Sequence, residues 1–197
     1  MKIAIRRAIA TCIALGLSAW TCHAEPLRLE YAGFYDYLKS ANSTKYNRVK
    51  PAFFLNNPAQ PDQSCVVNAE IHVGQTRYPL VANAATGEFF VPFDKRIKDG
   101  RGALVFQAPQ TCKLQVAAVG RLYKRSFSGE ELQQVAEQVY SLMENYAGSV
   151  RYFMPDWNGV VLQLSDGQRI EYPRERLPEH IELTADVEHV RLTMAAD

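Results

Sequence analysis

The sequence predicts a mainly β protein with one long amphipathic helix, an α+β fold arranged as an antiparallel β-sandwich of immunoglobulin-like or prealbumin-like type. Short segments of alternating apolar and polar residues, separated by turn residues, recur between Leu27 and Met194 and predict many short strands. From Gly129 to Tyr146 the apolar residues instead recur with a helical period. Two small β lobes flanking this helix would give the same order of elements.

Residues 1–24 have the pattern of a secretory signal peptide. A positively charged start at residues 1–7 precedes an apolar run at 8–19, and small residues at the end allow cleavage after Ala24. The apolar run is shorter than the roughly 20 residues that a membrane-spanning helix needs. We therefore expect an exported protein that begins at Glu25 and has no transmembrane segment after cleavage.

Most apolar segments before the helix are predicted to be strands. Apolar and polar residues alternate strictly in 67–73, which is the period of a half-buried strand. Pro51 indicates a sheet edge or a strand start, and turn-forming residues predict loops at 56–62 and 98–102. The predicted strands span 27–31, 49–55, 67–73, 78–81, 89–91, 103–106 and 114–119, with a short helix around 34–38.

The long helix is predicted from Gly129 to about Tyr146. Ser128 is a favourable N-cap, and Glu131 three residues later completes a capping box. Gly148 is a typical helix stop. We expect the apolar face to pack against a β-sheet as core rather than to bind lipid or a partner. This face consists of Leu132, Val135, Ala136, Val139, Leu142, Met143 and Tyr146.

Strands return after the helix, and they suggest a division of the mature chain. The sequence predicts strands at 152–154, 160–164, 169–172 and 187–194, and Asp166-Gly167 is typical of a hairpin turn. Residues 25–125 then form a β-rich lobe that holds both remaining cysteines. Residues 126–197 form the helix with a smaller β lobe. The two regions can equally share one continuous domain.

Two of the four cysteines, Cys65 and Cys112, remain after cleavage. Two cysteines in an exported chain most simply form one disulfide bond. Their spacing is unlike the C-x-x-C motif of a redox site, and His72 alone does not supply the two further ligands of a structural zinc site. Two buried free thiols are the alternative.

The charge balance and the missing motifs exclude several classes of function. The chain has 22 Lys and Arg against 21 Asp and Glu, and loss of the three cations in 1–24 leaves a net charge of −2. Such a chain lacks the basic stripe of a nucleic-acid-binding protein. His72, His180 and His189 have no metal-ligand spacing and can be explained as surface residues or solvated partners of nearby glutamates. We expect no cofactor and no metal.

The segment from Tyr152 to Gly159 is a candidate contact loop. It holds Tyr152, Asp156, Trp157 and Asn158, and Trp157 is the only tryptophan outside residues 1–24. An aromatic side chain on a loop can stack on a sugar or anchor a partner protein. The favoured interpretation is that Trp157 closes the core beside the helix.

Carboxylates support an alternative function, a small hydrolase acting on envelope polymers. Glu171 with Glu175, or Asp156 with Glu171, could serve as an acid and a base. Glycoside hydrolysis needs two such groups at a defined separation, which a sequence does not supply. The sequence therefore favours a non-catalytic binding or structural module, with an envelope protein or glycan as partner.

Several motifs together resemble a family of exported Gram-negative bacterial proteins defined as a domain of unknown function, DUF2987. They are the aromatic opening Tyr31–Leu38, the two cysteines, the segment Val91–Asp94 and the segment Tyr152–Asp156. The resemblance covers most of the mature chain and implies a periplasmic location. Because the family has no established activity, it carries over no catalytic residues.

Overall fold

The computed structural model describes residues 26–66, 68–109 and 111–195. The predicted signal peptide, residues 1–24, lies outside the described residues. No helix in this described part of the chain is long and apolar enough to cross a membrane.

Fourteen strands and three α-helices form within the described ranges. The strands are β1 (Leu27–Glu30), β2 (Val49–Asn57), β3 (Gln60–Ser64), β4 (Ala69–Val73), β5 (Thr76–Pro79), β6 (Val81–Ala82), β7 (Glu88–Phe90), β8 (Ala103–Phe106), β9 (Lys113–Gly120), β10 (Ser126–Ser128), β11 (Trp157–Leu164), β12 (Arg169–Pro173), β13 (His180–Glu182) and β14 (Val187–Met194). The helices are α1 (Tyr31–Ala41), α2 (Lys95–Asp99) and α3 (Gly129–Ala147), with 3-10 turns at Thr44–Tyr46, Gly148–Phe153 and Arg174–Arg176.

The strands form antiparallel sheets, which confirms the predicted α+β, sandwich-like fold with one long helix. The large sheet has eight strands in the order β12-β11-β14-β9-β2-β7-β6, with β3 also paired to β2. A four-stranded sheet has the order β1-β8-β4-β5, and β10 pairs with β13. Because Val190 of β14 pairs with Gly120 of β9, the large sheet continues across a boundary at residue 125.

One face of the large sheet, here called the covered face, packs on two hydrophobic cores. Helix α3 covers one half of it and forms the first core with β9, β11 and β14. Helix α1 and the four-stranded sheet cover the other half and form the second core with β2 and β7. Strand β2 contributes to both, since Val49 lies in the first core and Phe53 and Leu55 lie in the second.

The opposite face of the large sheet is concave. His189 of β14 and Glu88 of β7 meet at 2.9 Å across this face, although β9 and β2 lie between their strands. Only a strongly curved sheet allows that contact, because neighbouring strands lie roughly 4.8 Å apart. Ala52 and Ala117 lie opposite each other on β2 and β9, and Ala52 forms a small buried apolar cluster on this face with Phe54 and Val119.

Helix α3 begins and ends as predicted. Ser128 accepts a hydrogen bond from the backbone amide of Glu131 at 3.1 Å, and Gly148 follows the last helical residue with a φ of +58°. The predicted apolar face is buried at its centre, where Leu132, Val139 and Leu142 are fully buried in the first core. Burial of this apolar face therefore drives the packing of the helix against the large sheet.

Two β-bulges decide which side chains of β11 and β14 reach the first core. Between β11 and β14, Asn158 and Glu188 are extra residues at two register shifts. Each extra residue reverses the alternation, so Trp157 and Val187 turn to the core instead of the concave face. His189 and Arg191 then point to the concave face.

Strand β2 is central in the sheet, so of the two positions that Pro51 indicated the sheet edge is wrong. The strand start fits, because Pro51 is the third residue of β2. Pro51 pairs with Ala118 of β9, while on the other side β7 pairs only with Phe53 and Phe54. The pairing with β7 therefore ends before Pro51 and demands no amide from it. A proline is tolerated where a ladder has already ended.

Three further local predictions need correction. The loop predicted at 56–62 is the hairpin between β2 and β3, with its turn at 58–59, and the loop predicted at 98–102 starts only at Gly100, because Lys98 and Asp99 end helix α2. Asp94 caps this short helix by accepting a hydrogen bond from the amide of Arg96 at 2.8 Å. The strand predicted at 152–154 is a 3-10 turn that follows Gly148. In each case the ends of neighbouring elements overrode the local composition.

The predicted disulfide bond between Cys65 and Cys112 is confirmed. The two sulfur atoms are 2.04 Å apart and the Cα atoms 6.1 Å apart. Both cysteines are buried in the second core, one after β3 and the other before β9. The bond therefore fastens the two chain segments that flank this core.

Candidate functional site

An apolar cleft lies where the four-stranded sheet and the large sheet separate. Strand β5 is the edge of the four-stranded sheet and β6 is the edge of the large sheet, and Leu80 alone connects them. The cleft has a volume of about 670 Å³, which is within the range of small-molecule and peptide-side-chain sites. Its walls are formed mainly by Ile71, Val73, Leu80, Val91 and Ile97.

Exposed apolar side chains surround the mouth of this cleft. Val81 is 66 % exposed, and Tyr78 and Phe90 are about half exposed. Soluble proteins rarely leave large apolar side chains clustered in solvent around a cavity unless the surface binds something. The arrangement therefore makes the apolar cleft a candidate binding site.

Asp94 and Arg96 place an ion pair at one end of the apolar cleft. The Arg96 Nη2 atom lies 2.6 Å from Asp94 Oδ2, and this hydrogen bond holds the pKa of the Asp94 carboxyl below its ordinary value. The buried side chain of Tyr31 fixes the preceding turn, because its hydroxyl donates to the Pro92 carbonyl and accepts from the Asp94 amide at 2.9 Å. Burial raises the pKa of the Tyr31 hydroxyl.

A second, polar cleft of about 580 Å³ occupies the concave face of the large sheet. Glu88 belongs to its lining, and its carboxylate accepts a hydrogen bond from Lys50 Nζ at 3.0 Å and lies 2.9 Å from His189 Nε2. Glu88 and His189 are only 4 % and 5 % exposed. Burial acts to raise the pKa of Glu88, but the hydrogen bonds and charges of His189 and Lys50 outweigh it, so the pKa lies below its ordinary value.

The residues of the predicted contact loop are not all on the surface. Tyr152, Asp156 and Asn158 are exposed, whereas Trp157 is 4 % exposed and lies in the first core. The guanidinium of Arg174 covers its ring at 4.1 Å from the ring centre. A contact through this loop would therefore use Tyr152, Asp156 and Asn158, and it stays a prediction.

The carboxylates proposed as acid and base are placed outside both clefts. Asp156, Glu171 and Glu175 are exposed, and none of the three lines the apolar or the polar cleft. His72 contacts Glu70 at 2.8 Å near the surface, and His180 is exposed. The interpretation of His189 as a solvated residue is wrong, because it is buried against Glu88 rather than against the neighbouring glutamates.

The sequence held one signal for the apolar cleft and none for the polar cleft. Tyr78-Pro79-Leu80-Val81 are four consecutive apolar residues, and a strand with one buried face cannot bury all four. At least part of the run therefore had to be exposed. Glu88 and His189 are 101 positions apart, and no local pattern links them.

Comparison with known protein families gives one match. The sequence profile of the family described as "Protein of unknown function (DUF2987)" matches residues 23–164. The chain belongs to this family. No curated protein and no solved structure matches the chain.

The two clefts differ in how far they fall within the DUF2987 match. Every residue that lines the apolar cleft lies inside residues 23–164. The polar cleft takes Arg169, His189 and Arg191 from strands that follow the matched range. The apolar cleft is thus built from the DUF2987 region of the chain alone.

Proposed function

We propose that this DUF2987 protein is an exported, non-catalytic binding module of the periplasm, and that its apolar cleft takes an extended apolar peptide segment of an envelope protein. One observation carries the proposal: two sheet edges, β5 and β6, border a cleft with apolar walls and an exposed apolar mouth. An edge strand can bind a peptide through its backbone while an adjoining pocket takes the peptide side chains.

The pairing of β5 supports a backbone contact with a peptide. Val73 and Thr76 close a two-residue hairpin, with Gly74 at a φ of +57° as a primed turn requires. In such a hairpin the two closing residues, Val73 and Thr76, form two backbone hydrogen bonds with each other. Because hydrogen-bonded and non-hydrogen-bonded pairs alternate along an antiparallel ladder, the next residue, Arg77, directs its N–H and C=O away from β4. Pro79 has no N–H to offer, which limits the edge to a short peptide segment.

The walls of the cleft support apolar side chains in that segment. Ile71, Val73 and Ile97 present only hydrocarbon. The polar side chains of the lining are Tyr78, which carries one hydroxyl, and Asp94 and Arg96, which are paired with each other. In an extended peptide alternate side chains point the same way. A segment with apolar residues at alternate positions would place two of them in a cleft of this size. A glycan would leave its hydroxyl groups without partners against these walls.

Selection from a random peptide library displayed on phage, using the mature protein as bait, tests the proposal. We expect enrichment of peptides with apolar residues at alternate positions. Val81→Asp should abolish their binding, because it places a charge at the mouth of the cleft. Val150→Asp is the matched control, since Val150 is 59 % exposed, lies outside the cleft lining and undergoes the same change.

Enriched peptides that bind both variants equally would contradict the proposal, as would a selection that enriches no peptide. Binding of muramyl or other glycan fragments that depends on Val81 would keep the cleft as a binding site and overturn the peptide as its occupant. Because the Val81 side chain is exposed, its substitution should leave the fold intact, and circular dichroism of both variants checks this.

The alternative function, a carboxylate-dependent hydrolase of envelope polymers, receives no support from the placement of its residues. Glu171, Glu175 and Asp156 are exposed and lie outside both clefts, whereas catalytic groups lie in the cleft that holds the substrate. Turnover of peptidoglycan fragments by the mature protein that disappears on Glu171→Gln would overturn the non-catalytic proposal.

A further inference from the structure

The polar cleft on the concave face contains more positive than negative charge once its internal pairs are counted. Glu88 is balanced by Lys50 and by its contact with His189. The remaining charged side chains that line the cleft are Arg169, Arg191 and Glu188. Within the described residues neither arginine forms an ion pair. Two guanidinium groups therefore share the cleft with one carboxylate.

Arg191 is held in place without a hydrogen-bonding partner for its Nε atom. Its guanidinium lies over the ring of Phe54, 4.7 Å from the ring centre. The Nε atom is buried and has no partner in the described part of the chain. Burial and the nearby charge of Arg169 both lower the pKa of Arg191. Such a preorganised fork of donors suits a carboxylate or a phosphate.

Two other polar atoms of the cleft are also without partners. His189 lines the cleft and is 95 % buried, since its exposed fraction is 5 %. Its Nδ1 atom and the Oδ1 atom of Asn56 have no hydrogen-bond partner among the described residues. Buried polar groups are normally paired. Both atoms are closed to solvent in this structure, and Asn56 Oδ1 lies against Gly87, so a hydroxyl group of a ligand would reach them only if these side chains rotate.

We propose that the polar cleft binds a hydroxylated organic oxyanion, a sugar unit bearing a phosphate or a carboxylate, with its anionic group held by Arg169 and Arg191. This site is separate from the apolar cleft, and its ligand belongs to a different chemical class from an apolar peptide. Gln115 and Gln163 on the same face offer further amide groups to the hydroxyls.

Calorimetric titration of the mature protein with three probes tests the proposal. Glucose 6-phosphate and glucuronate carry the two anionic groups, and glucose is the neutral control. We expect saturable binding of at least one anionic probe and none of glucose. The anion that binds more tightly identifies the source, phosphate or carboxylate. The affinity should fall with added salt, because partly exposed charges are screened.

Substitutions locate the site. Arg169→Gln should weaken the anionic probe about tenfold, because a charge-assisted hydrogen bond contributes at least that factor. Arg169 is exposed, so the fold tolerates the change. Arg191→Lys keeps the charge but loses the planar fork and should weaken binding by a similar factor. Arg176→Gln is the matched control, since Arg176 is equally exposed and lies outside the cleft lining.

Three results would overturn the proposal: no saturable binding of either anion, equal binding of glucose, or equal weakening by Arg169→Gln and Arg176→Gln. None of these depends on the peptide experiment. Failure of the oxyanion site and failure of the apolar cleft are therefore distinguishable.

Discussion

At the scale of single residues, the carboxylate of Glu88 accepts its hydrogen bonds in a place from which water is almost excluded. A buried ion pair gains little over apolar packing, but the loss of one partner leaves the other charge uncompensated. Glu88 therefore contributes to stability mainly through its contacts with Lys50 and His189.

Glu88→Gln should lower the free energy of unfolding at about pH 7 by about 2 kcal/mol. The pKa of Glu88 is lower in the folded protein than in the unfolded chain. Its stabilisation is therefore present above the ordinary glutamate pKa, about 4.3, and is lost as the pH falls through the folded-state value. Urea unfolding at several pH values should show the gap between wild type and variant closing in acid.

The exposed Glu175→Gln is the control for this experiment. A gap between wild type and Glu88→Gln that stays constant from neutral pH to acid would show that ionised Glu88 does not contribute the stability assigned to it.

Trp157→Ala should destabilise the protein by about 3–5 kcal/mol, because the ring is buried in the first core and removal leaves a cavity. The exposed Tyr152→Ala should change stability by less than about 0.5 kcal/mol. Thermal unfolding of both variants compares them. A stable Trp157→Ala protein would mean that the ring does not pack in the core.

At the scale of elements, the approach of α3 to the large sheet depends on Gly120. A Cβ atom at this position would lie 2.3 Å from Val135 Cγ1 and 2.9 Å from Val190 Cβ. Any side chain there would force the helix away from the junction of β9 and β14. Glycine is required here by close packing, and its effect is visible only when helix and sheet are seen together.

Gly120→Ala should destabilise the protein by about 1–3 kcal/mol through overpacking. Val135→Ala alone leaves a cavity at the same place and also destabilises. In the double variant the new methyl group fills part of that cavity, so its loss of stability should be smaller than the sum of the single losses. A double-mutant cycle from urea unfolding measures this coupling, and additive losses would show that the two positions do not touch.

At the scale of the whole molecule, the disulfide bond joins residues 47 positions apart on either side of the second core. A closed loop of this length restricts the unfolded chain. Replacement of both Cys65 and Cys112 by alanine should lower the free energy of unfolding by about 2–5 kcal/mol. Dithiothreitol should destabilise the wild type by a similar amount and leave the double variant unchanged.

The exported form is expected to begin at Glu25. This expectation rests on the order of charged, apolar and small residues in 1–24. The intact mass of the protein recovered from a periplasmic fraction should equal that of residues 25–197. Recovery of a mass that includes Met1 would contradict cleavage after Ala24.

The parts of the fold that follow from neighbouring residues were predictable. Helix α3 begins at Ser128 and ends at Gly148 because capping is decided within one helical turn. The strand at 69–73 was predictable from its alternating apolar and polar residues. The disulfide bond was predictable because only two cysteines remain after the predicted cleavage. These features need no knowledge of which strands pair.

The candidate sites depend on pairing between strands distant in sequence. The extra residues Asn158 and Glu188 reverse the alternation of β11 and β14, and so turn Trp157 inward and His189 and Arg191 to the concave face. A bulge is defined by register against a partner strand, which a single strand does not specify.

The sequence by itself determined the mainly β composition, the long helix and the cysteine pair, and the export segment in 1–24 stays a prediction. Only the tertiary structure brought Glu88 and His189 together and opened a cleft between the edges of β5 and β6. The physical reason is that curvature and edge position belong to the sheet as a whole. They arise from the twist accumulated over many paired strands, whereas helix caps and strand alternation arise within a few residues.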